Sequence, residues 1–498
     1  MQDFHQKIRV NAVYLMIQKL TTPVINLLLT IYIVNKLSIA DYGIYNIIYA
    51  VISYLSLYSS FGILNVLQRF IPEFYAQQNY SQVKSLFRSS LLLRFVLTIL
   101  FLALLILFAE PVGKFFKVDG LKAYLEIFSL GIILFLEIQI VELTLGALLQ
   151  NRAIMFSYFI AILFRAVLVY WFLAHNYGLI GLLKAETIYF AVLLLTQLAF
   201  YFWDFAAKNH SARGKLPVKR LLRYSGLSYL DELGWTVLDV KTDYFVISNF
   251  LGPTMVGLYA FANQVIETVA KLMPDKMIRP LIRTAFFSKY SEHRNVEKLN
   301  QHFNLLVKLI AFISFPLFTG IIALSDKVIV YFYDAKYLPA QKIIWMFAAF
   351  LLIISFQYPL QLVVQAVEKV EITFYSKIFS VYNLGTEILV IKVLGLMGVA
   401  LATCSARLFQ TLFIFYRIRN HVPLKIEFGP LLKILFNSLV MMVLILLVKG
   451  VVTSTLSLIS VLIGAGLTYL VASYYNKSFL TEERTIINQL LPRPVFVF

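Results

Sequence analysis

The chain has 498 residues, of which 60% are hydrophobic and 14% charged, and its formal net charge is +18. Those proportions exclude a soluble globular protein of this size. A single cysteine, Cys404, and six scattered histidines exclude an internal disulfide and give no metal-ligand spacing.

Long apolar runs such as Val24–Val34, Leu91–Phe108, Ala153–Ala174, Phe347–Val364 and Ile434–Val448 mark a chain embedded in lipid. In lipid a helix satisfies its own backbone hydrogen bonds. The alternating ten-residue segments of a membrane barrel do not occur. The expected class is therefore all-α, a polytopic membrane protein with about 14 transmembrane helices. In chain order the spans are 10–34, 42–68, 87–109, 122–149, 153–174, 178–203, 224–250, 256–279, 303–325, 341–366, 373–392, 395–416, 431–449 and 452–475. Met1–Arg9 is polar and lacks the apolar core of a signal peptide, so the first span is expected to be retained.

With the amino terminus in the cytoplasm, Arg69, Arg88, Lys219, Arg223, Arg279, Arg417, Lys433 and most other cations fall inside. Lys36, Lys114, Lys122, Lys336 and a few others fall outside, a ratio of about three to one. Both termini are predicted to be cytoplasmic. Much of the +18 is then orientation signal and requires no nucleic acid. Every loop is short, which leaves no extramembrane domain to house a catalytic site. No phosphate-binding loop of the G-x-x-x-x-G-K-S/T kind occurs.

An internal repeat organises the spans. Asn35, Leu37, Gly43, Tyr45, Val51, Ile52 and Arg69 recur at one fixed offset as Asn249, Leu251, Gly257, Tyr259, Val265, Ile266 and Arg283. The copies are an even number of spans apart and share an orientation, as in parallel repeats. The expected organisation is an amino-terminal lobe (1–207, helices 1–6), a basic cytoplasmic linker (208–223), a second lobe (224–420, helices 7–12), and helices 13–14 with a tail (421–498). The two six-helix lobes would be related by a pseudo-twofold axis.

Polar residues on helix 2 fall on one face: Tyr42, Asn46, Tyr49, Ser53, Ser56 and Ser60. They are read as a cavity wall, against the alternative of close helix packing. Charges inside spans cost about 2.5–3.5 kcal/mol each at mid-helix, so they mark functional candidates. The cationic candidates for binding an anion are Lys19, Arg165, Lys184, Lys241, Lys271 and Arg407. Arginine suits a diphosphate through its paired donors, lysine as a point charge. Arg94 is expected to snorkel to the cytoplasmic interface. Glu232, Asp239, Asp243, Glu267 and Glu387 are the ion-coupling candidates. Glu267 and Lys271, four apart, also read as a mutually neutralised structural pair.

Two stretches carry a resemblance. Phe61-Gly62-Ile63 followed by Gln68-Arg69-Phe70-Ile71-Pro72-Glu73, and Asp243-Tyr244-Phe245-Val246-Ile247-Ser248 followed by Leu251-Gly252 and Gly257-Leu258-Tyr259-Ala260, are similar to signatures of Wzx-type polysaccharide flippases. Those belong to the multidrug/oligosaccharidyl-lipid/polysaccharide superfamily. The resemblance implies alternating access that moves a polyprenyl-diphosphate-linked oligosaccharide to the outer leaflet of the cell membrane. It implies no organic cofactor, coupling to H+ or Na+, and work beside envelope polysaccharide assembly enzymes. The rival readings are a drug/cation antiporter of the same superfamily, a membrane-embedded polymerase or glycosyltransferase, and a non-transporting scaffold. Lys19 and the two extra helices weigh against the first, and the short loops against the second.

Overall fold

The computed structural model describes residues 2–207, 215–236, 240–271, 296–490 and 496–498. No β-strand occurs among them. The chain separates into two compact units, Met1–Gly257 and Leu258–Phe498.

The first unit holds α1 (Gln2–Lys36), α2 (Ile39–Ser60), α3 (Ile63–Ala76), α4 (Tyr80–Leu107), α5 (Ala109–Phe116), α6 (Leu121–Ala147), α7 (Asn151–Ala174), α8 (Gly178–Phe200), α9 (Val218–Thr236) and α10 (Val240–Leu251). Ser38 caps α2 by accepting from the Asp41 N–H, satisfying one of the donors that a helix start leaves open. Expected span 2 is broken: α2 and α3 meet at 57°. Phe61 (φ 42°) and Gly62 (φ 75°) make the corner. A side chain on Gly62 would lie 2.3 Å from the Ser225 carbonyl oxygen, so only glycine lets α9 approach here. The Ser225 hydroxyl donates to the Phe61 carbonyl in turn. Expected span 7 contributes α9 and α10, on either side of residues 237–239, which lie outside the described residues. Both pack in the first unit, on α2, α3 and α5. Asn249 Nδ2 donates to the Phe115 carbonyl at 2.8 Å, and Tyr54 and Thr242 hydroxyls meet at 2.6 Å.

The second unit holds most of α11 (Pro253–Lys271), then α12 (Val296–Phe332), α13 (Gln341–Ala366), α14 (Val370–Ser376), α15 (Ile378–Arg419), α16 (Phe428–Val448), α17 (Thr455–Asn476) and α18 (Thr481–Leu490). Expected spans 11 and 12 appear as the two arms of α15, which turn back on each other at Gly395 (φ 56°, ψ −139°) and bring the Phe379 and Phe413 rings to 5.9 Å. Its core joins Phe303, Val307, Leu360, Val363, Ile414 and Ile434. A second cluster joins α12, α16 and α17 through Leu324, Met441, Ile445, Leu458 and Tyr469. Phe496 and Phe498 stack against Phe312, and Asn488 exchanges two hydrogen bonds with the Phe496 backbone.

The surface is apolar in the manner of lipid-facing helices. Leu92, Leu93, Val96 and Leu100 on α4, Phe159, Leu163 and Val167 on α7, and Leu432, Phe436 and Leu447 on α16 are all exposed, while Ser59, Arg94, Thr98, Thr144, Ser157 and Glu186 are buried. Patches this large and this apolar have no place on a soluble monomer. Among the described residues nine helices are long and apolar enough to cross a membrane, or ten if the bent α2–α3 pair is one span. The all-α, multi-pass class holds; the expected count of fourteen is not reached within the described residues.

Candidate functional site

The centre of the first unit is an ionic cluster built from four helices. Arg165 on α7 faces Glu186 on α8. Its Nε donates to both carboxylate oxygens at 3.0 and 3.1 Å, and a terminal nitrogen donates to Oε1 at 2.5 Å. Its other terminal nitrogen donates to Asn26 Oδ1 on α1 at 2.7 Å. From α2, the Tyr45 hydroxyl donates to Glu186 Oε1 at 3.2 Å. The guanidinium also lies 5.4 Å from the Tyr189 ring centroid, a favourable place for a cation. The Glu186 side chain is 1% exposed and that of Arg165 15%. A buried pair is tolerable when its remaining lone pairs and protons are also bonded, and Asn26 and Tyr45 supply those bonds. Nearby, the Tyr158 hydroxyl donates to Glu142 at 2.8 Å.

The polar face of α2 contributes to this interior in two ways. Tyr42, Tyr45 and Tyr49 stack in series, at 6.4 and 4.7 Å between centroids. Asn46 and Ser53 turn back on their own helix, donating to the carbonyls of Tyr42 and Tyr49. Lower on the face, Ser56 receives a bond from Arg94 at 3.0 Å, and Gln139 on α6 receives another at 2.8 Å. Arg94 is fully buried. The expectation that it snorkels is corrected: with acceptors on α2 and α6 in reach, the guanidinium gains more from them than from the interface.

In the second unit Glu387 is buried and ties the two arms of α15 together. Asn383 donates to its Oε1 at 2.6 Å from one side of Gly395, and Thr403 at 3.3 Å from the other. Arg407 stacks on Phe350 of α13 at 4.3 Å. Gln410 Nε2 reaches Ser376 at 3.3 Å, extending a polar seam between α14 and α15. A group that the sequence reading passed over is Lys308 on α12. Its side chain is 1% exposed and its ammonium contacts Glu427 at 2.6 Å and Glu483 at 2.7 Å.

Of the sequence candidates, Arg165, Tyr42 and Tyr49 come together in the first-unit cluster. Asp243 is buried in α10 and Lys241 is half-buried beside it. Lys184 is exposed on α8. Glu267 and Lys271 form an exposed pair at 3.6 Å, and Asn263 also donates to Glu267. Asp239 and the side chains of Lys19 and Glu232 lie outside the described residues. Glu186, Asn26, Tyr45 and Tyr189 complete the cluster without having been named as site residues.

Comparison with known proteins follows the same lines. The family described as polysaccharide biosynthesis protein matches residues 36–342. The teichuronic acid biosynthesis protein TuaB of Bacillus subtilis (strain 168) is 28% identical over 152 residues, 30% of this chain and 30% of TuaB. The lipid II flippase MurJ of Thermosipho africanus (strain TCF52B) is 28% identical over 209 residues, 41% of this chain and 42% of MurJ. The chain thus matches less than half the length of either relative. Among solved structures, lipid II flippase MurJ in an inward closed conformation superposes with a TM-score of 0.70 at 18% identity, covering 97% of this chain and 100% of that one. An inward-facing multidrug resistance MATE family transporter of the MOP superfamily gives 0.63 at 14% identity, covering 82% and 98%. These two likenesses show a shared fold.

Proposed function

Because this chain belongs to the polysaccharide biosynthesis protein family, we propose that it is a secondary-type transporter of the cell membrane. It flips a polyprenyl-diphosphate-linked oligosaccharide from the inner to the outer leaflet, by alternating access of two six-helix lobes, with both termini in the cytoplasm. The observation that carries this reading is the ionised interior of the first unit inside an apolar exterior. Charges held among lipid-facing helices are costly and mark a pathway for polar cargo. The fold shared with MurJ and the MATE transporter supports the same reading. Asp243 and Glu387 are the buried carboxylates assigned to ion coupling.

The cargo's charge favours outward movement. With the cytoplasm negative, each negative charge carried out gains about 2.3 kcal/mol per 100 mV. The test is reconstitution of the full chain in vesicles that contain a fluorescent polyprenyl-diphosphate sugar. Faster appearance of label in the opposite leaflet than in protein-free vesicles is expected. Equal rates with and without protein would retire the proposal.

A further inference from the structure

A groove of about 720 Å³ opens between α3 and α9, entirely within the first unit. Arg69 and Phe70 of α3 form one wall; Lys219, Arg220, Arg223 and Tyr224 of α9 form the other. Phe70 is buried and serves as the floor. The Arg220 guanidinium lies 4.9 Å from the Phe70 centroid and that of Arg69 lies 5.6 Å away. Tyr224 meets the same ring edge-on at 5.4 Å. Glu73 holds both arginines, at 2.7 Å from Arg220 and 2.8 Å from Arg69. Two cations are therefore fixed in place before any ligand arrives. Lys219 and Arg223 are exposed and have no ion-pair partner among the described residues.

Three features define what fits. First, four cations less the Glu73 carboxylate leave a surplus of 4 − 1 = +3. A single phosphodiester head group would leave most of that unmatched; a diphosphate bearing about one negative charge per phosphate matches it better. Second, Pro217 and Val218 place the first turn of α9 in the groove wall, where the positive end of the helix dipole favours an anion. Third, Lys219, Arg223 and Leu227 follow at a spacing of four and share one face of α9. Leu227 lines the groove and is 64% exposed. The basic end of the groove thus opens past an exposed leucine.

The geometry points to a docking site for the diphosphate head group of a lipid carrier, with its prenyl chain leaving past Leu227. This deepens the proposed function and rests on it for the identity of the cargo. In the proposed orientation the groove faces the cytoplasm at the level of the inner-leaflet head groups, where the cargo is loaded.

The test uses purified full-length protein in detergent and undecaprenyl diphosphate as probe, followed by titration calorimetry. The double variant Lys219→Gln/Arg223→Gln changes two exposed side chains and is checked for an unchanged melting temperature. It is expected to bind at least tenfold more weakly, equivalent to 1.4 kcal/mol. The exchange Lys219→Arg/Arg223→Lys keeps the charges and is expected to stay within about threefold of wild type. Inorganic pyrophosphate is expected to bind more weakly than the lipid, and phosphatidylglycerol not to compete. Unchanged affinity in the double glutamine variant would overturn the site. So would pyrophosphate binding as tightly as the lipid, which makes it a free-phosphate site, or full competition by phosphatidylglycerol, which makes it an ordinary bilayer contact. Flipping assays on the same proteins separate the two proposals. If the wild type flips and the double glutamine variant both flips and binds normally, the site falls and transport stands. If the wild type binds the lipid but flips nothing, transport falls and the site stands.

Discussion

Replacing Glu186 by glutamine should be among the most damaging single-atom changes in the first unit. The carboxylate accepts three contacts from Arg165 at 3.1 Å or less and one from Tyr45 at 3.2 Å. Glutamine keeps the shape but removes the charge, and turns one acceptor into a donor facing the guanidinium. Arg165 would then be an uncompensated buried cation with Asn26 as its remaining strong acceptor. Breaking a buried pair from one side costs about 3–5 kcal/mol. At about 2–4 °C per kcal/mol for a unit of this size, the melting temperature should fall by on the order of 10 °C. The assay is thermal unfolding of the solubilised full chain. The control is Arg165→Met/Glu186→Leu, which removes both charges and fills the space with apolar atoms. Such replacements are often neutral or stabilising, so the double variant should recover most of the loss. A Glu186→Gln protein melting within about 2 °C of wild type, or a double variant no better than the worse single, would refute this account of the cluster.

Three further outcomes are expected. Gly43→Ala would place a methyl 1.9 Å from the Pro253 carbonyl oxygen, and Gly257→Ala one 2.1 Å from that of Ile39. Each should cost about 1–3 kcal/mol through forced backbone movement, measured as a lower melting temperature. Lys308→Met leaves Glu427 and Glu483 without their shared cation and should speed proteolysis within α18, whereas an unchanged cleavage rate would show that the ammonium does not hold that helix. Ser454→Ala removes the capping box that starts α17 through Ser457 and should lower stability by about 1 kcal/mol, read by thermal unfolding of the same preparation.

The helices were legible because apolar runs have to be long where lipid is the solvent. Expected spans 122–149, 153–174 and 178–203 appear as Leu121–Ala147, Asn151–Ala174 and Gly178–Phe200. The turn at Gly395 between expected spans 11 and 12 was legible, but the break inside expected span 2 was not. The corner at Phe61–Gly62 depends on how closely α9 comes to Gly62, a tertiary fact that no local pattern carries. The charged candidates were visible one at a time, because each interrupts a hydrophobic segment. Their pairings were not. Arg165 and Glu186 are 21 residues apart on two different helices, and Lys308 finds Glu483 across 175 residues. The i to i+4 rule locates Glu267 with Lys271 but says nothing about partners that only the fold brings together. Lys308 did leave a signal, a lone cation between Val307 and Leu309 in an otherwise apolar stretch.

The distribution of charge in the first unit bears on how an anion could be both recognised and released. Among the described residues its interior holds Arg94, Arg165 and Lys241 against Glu137, Glu142, Glu186 and Asp243, a formal sum of 3 − 4 = −1 with every group ionised. Arg165 is already neutralised by Glu186, so no surplus of cations occurs among the described residues of this interior. A surplus of other cations occurs in the α3–α9 groove, where the sum is +3. A pathway lined with surplus positive charge would hold a diphosphate, and translocation requires that binding be weak enough to leave. A nearly balanced interior avoids that trap. On the proposed function, basic groups at the loading face would concentrate the cargo, and the membrane potential would supply about 4.6 kcal/mol per 100 mV for about two negative charges moved outward. The division predicts opposite effects at the two places. Neutralising Lys219 and Arg223 should raise the cargo concentration needed for half-maximal flipping and leave the maximal rate intact, whereas adding a cation inside, as in Glu142→Lys, should lower the maximal rate. Vesicle flipping measured across a range of cargo densities separates the two parameters, and a change in the maximal rate alone in the groove variant would be incompatible with loading at that face.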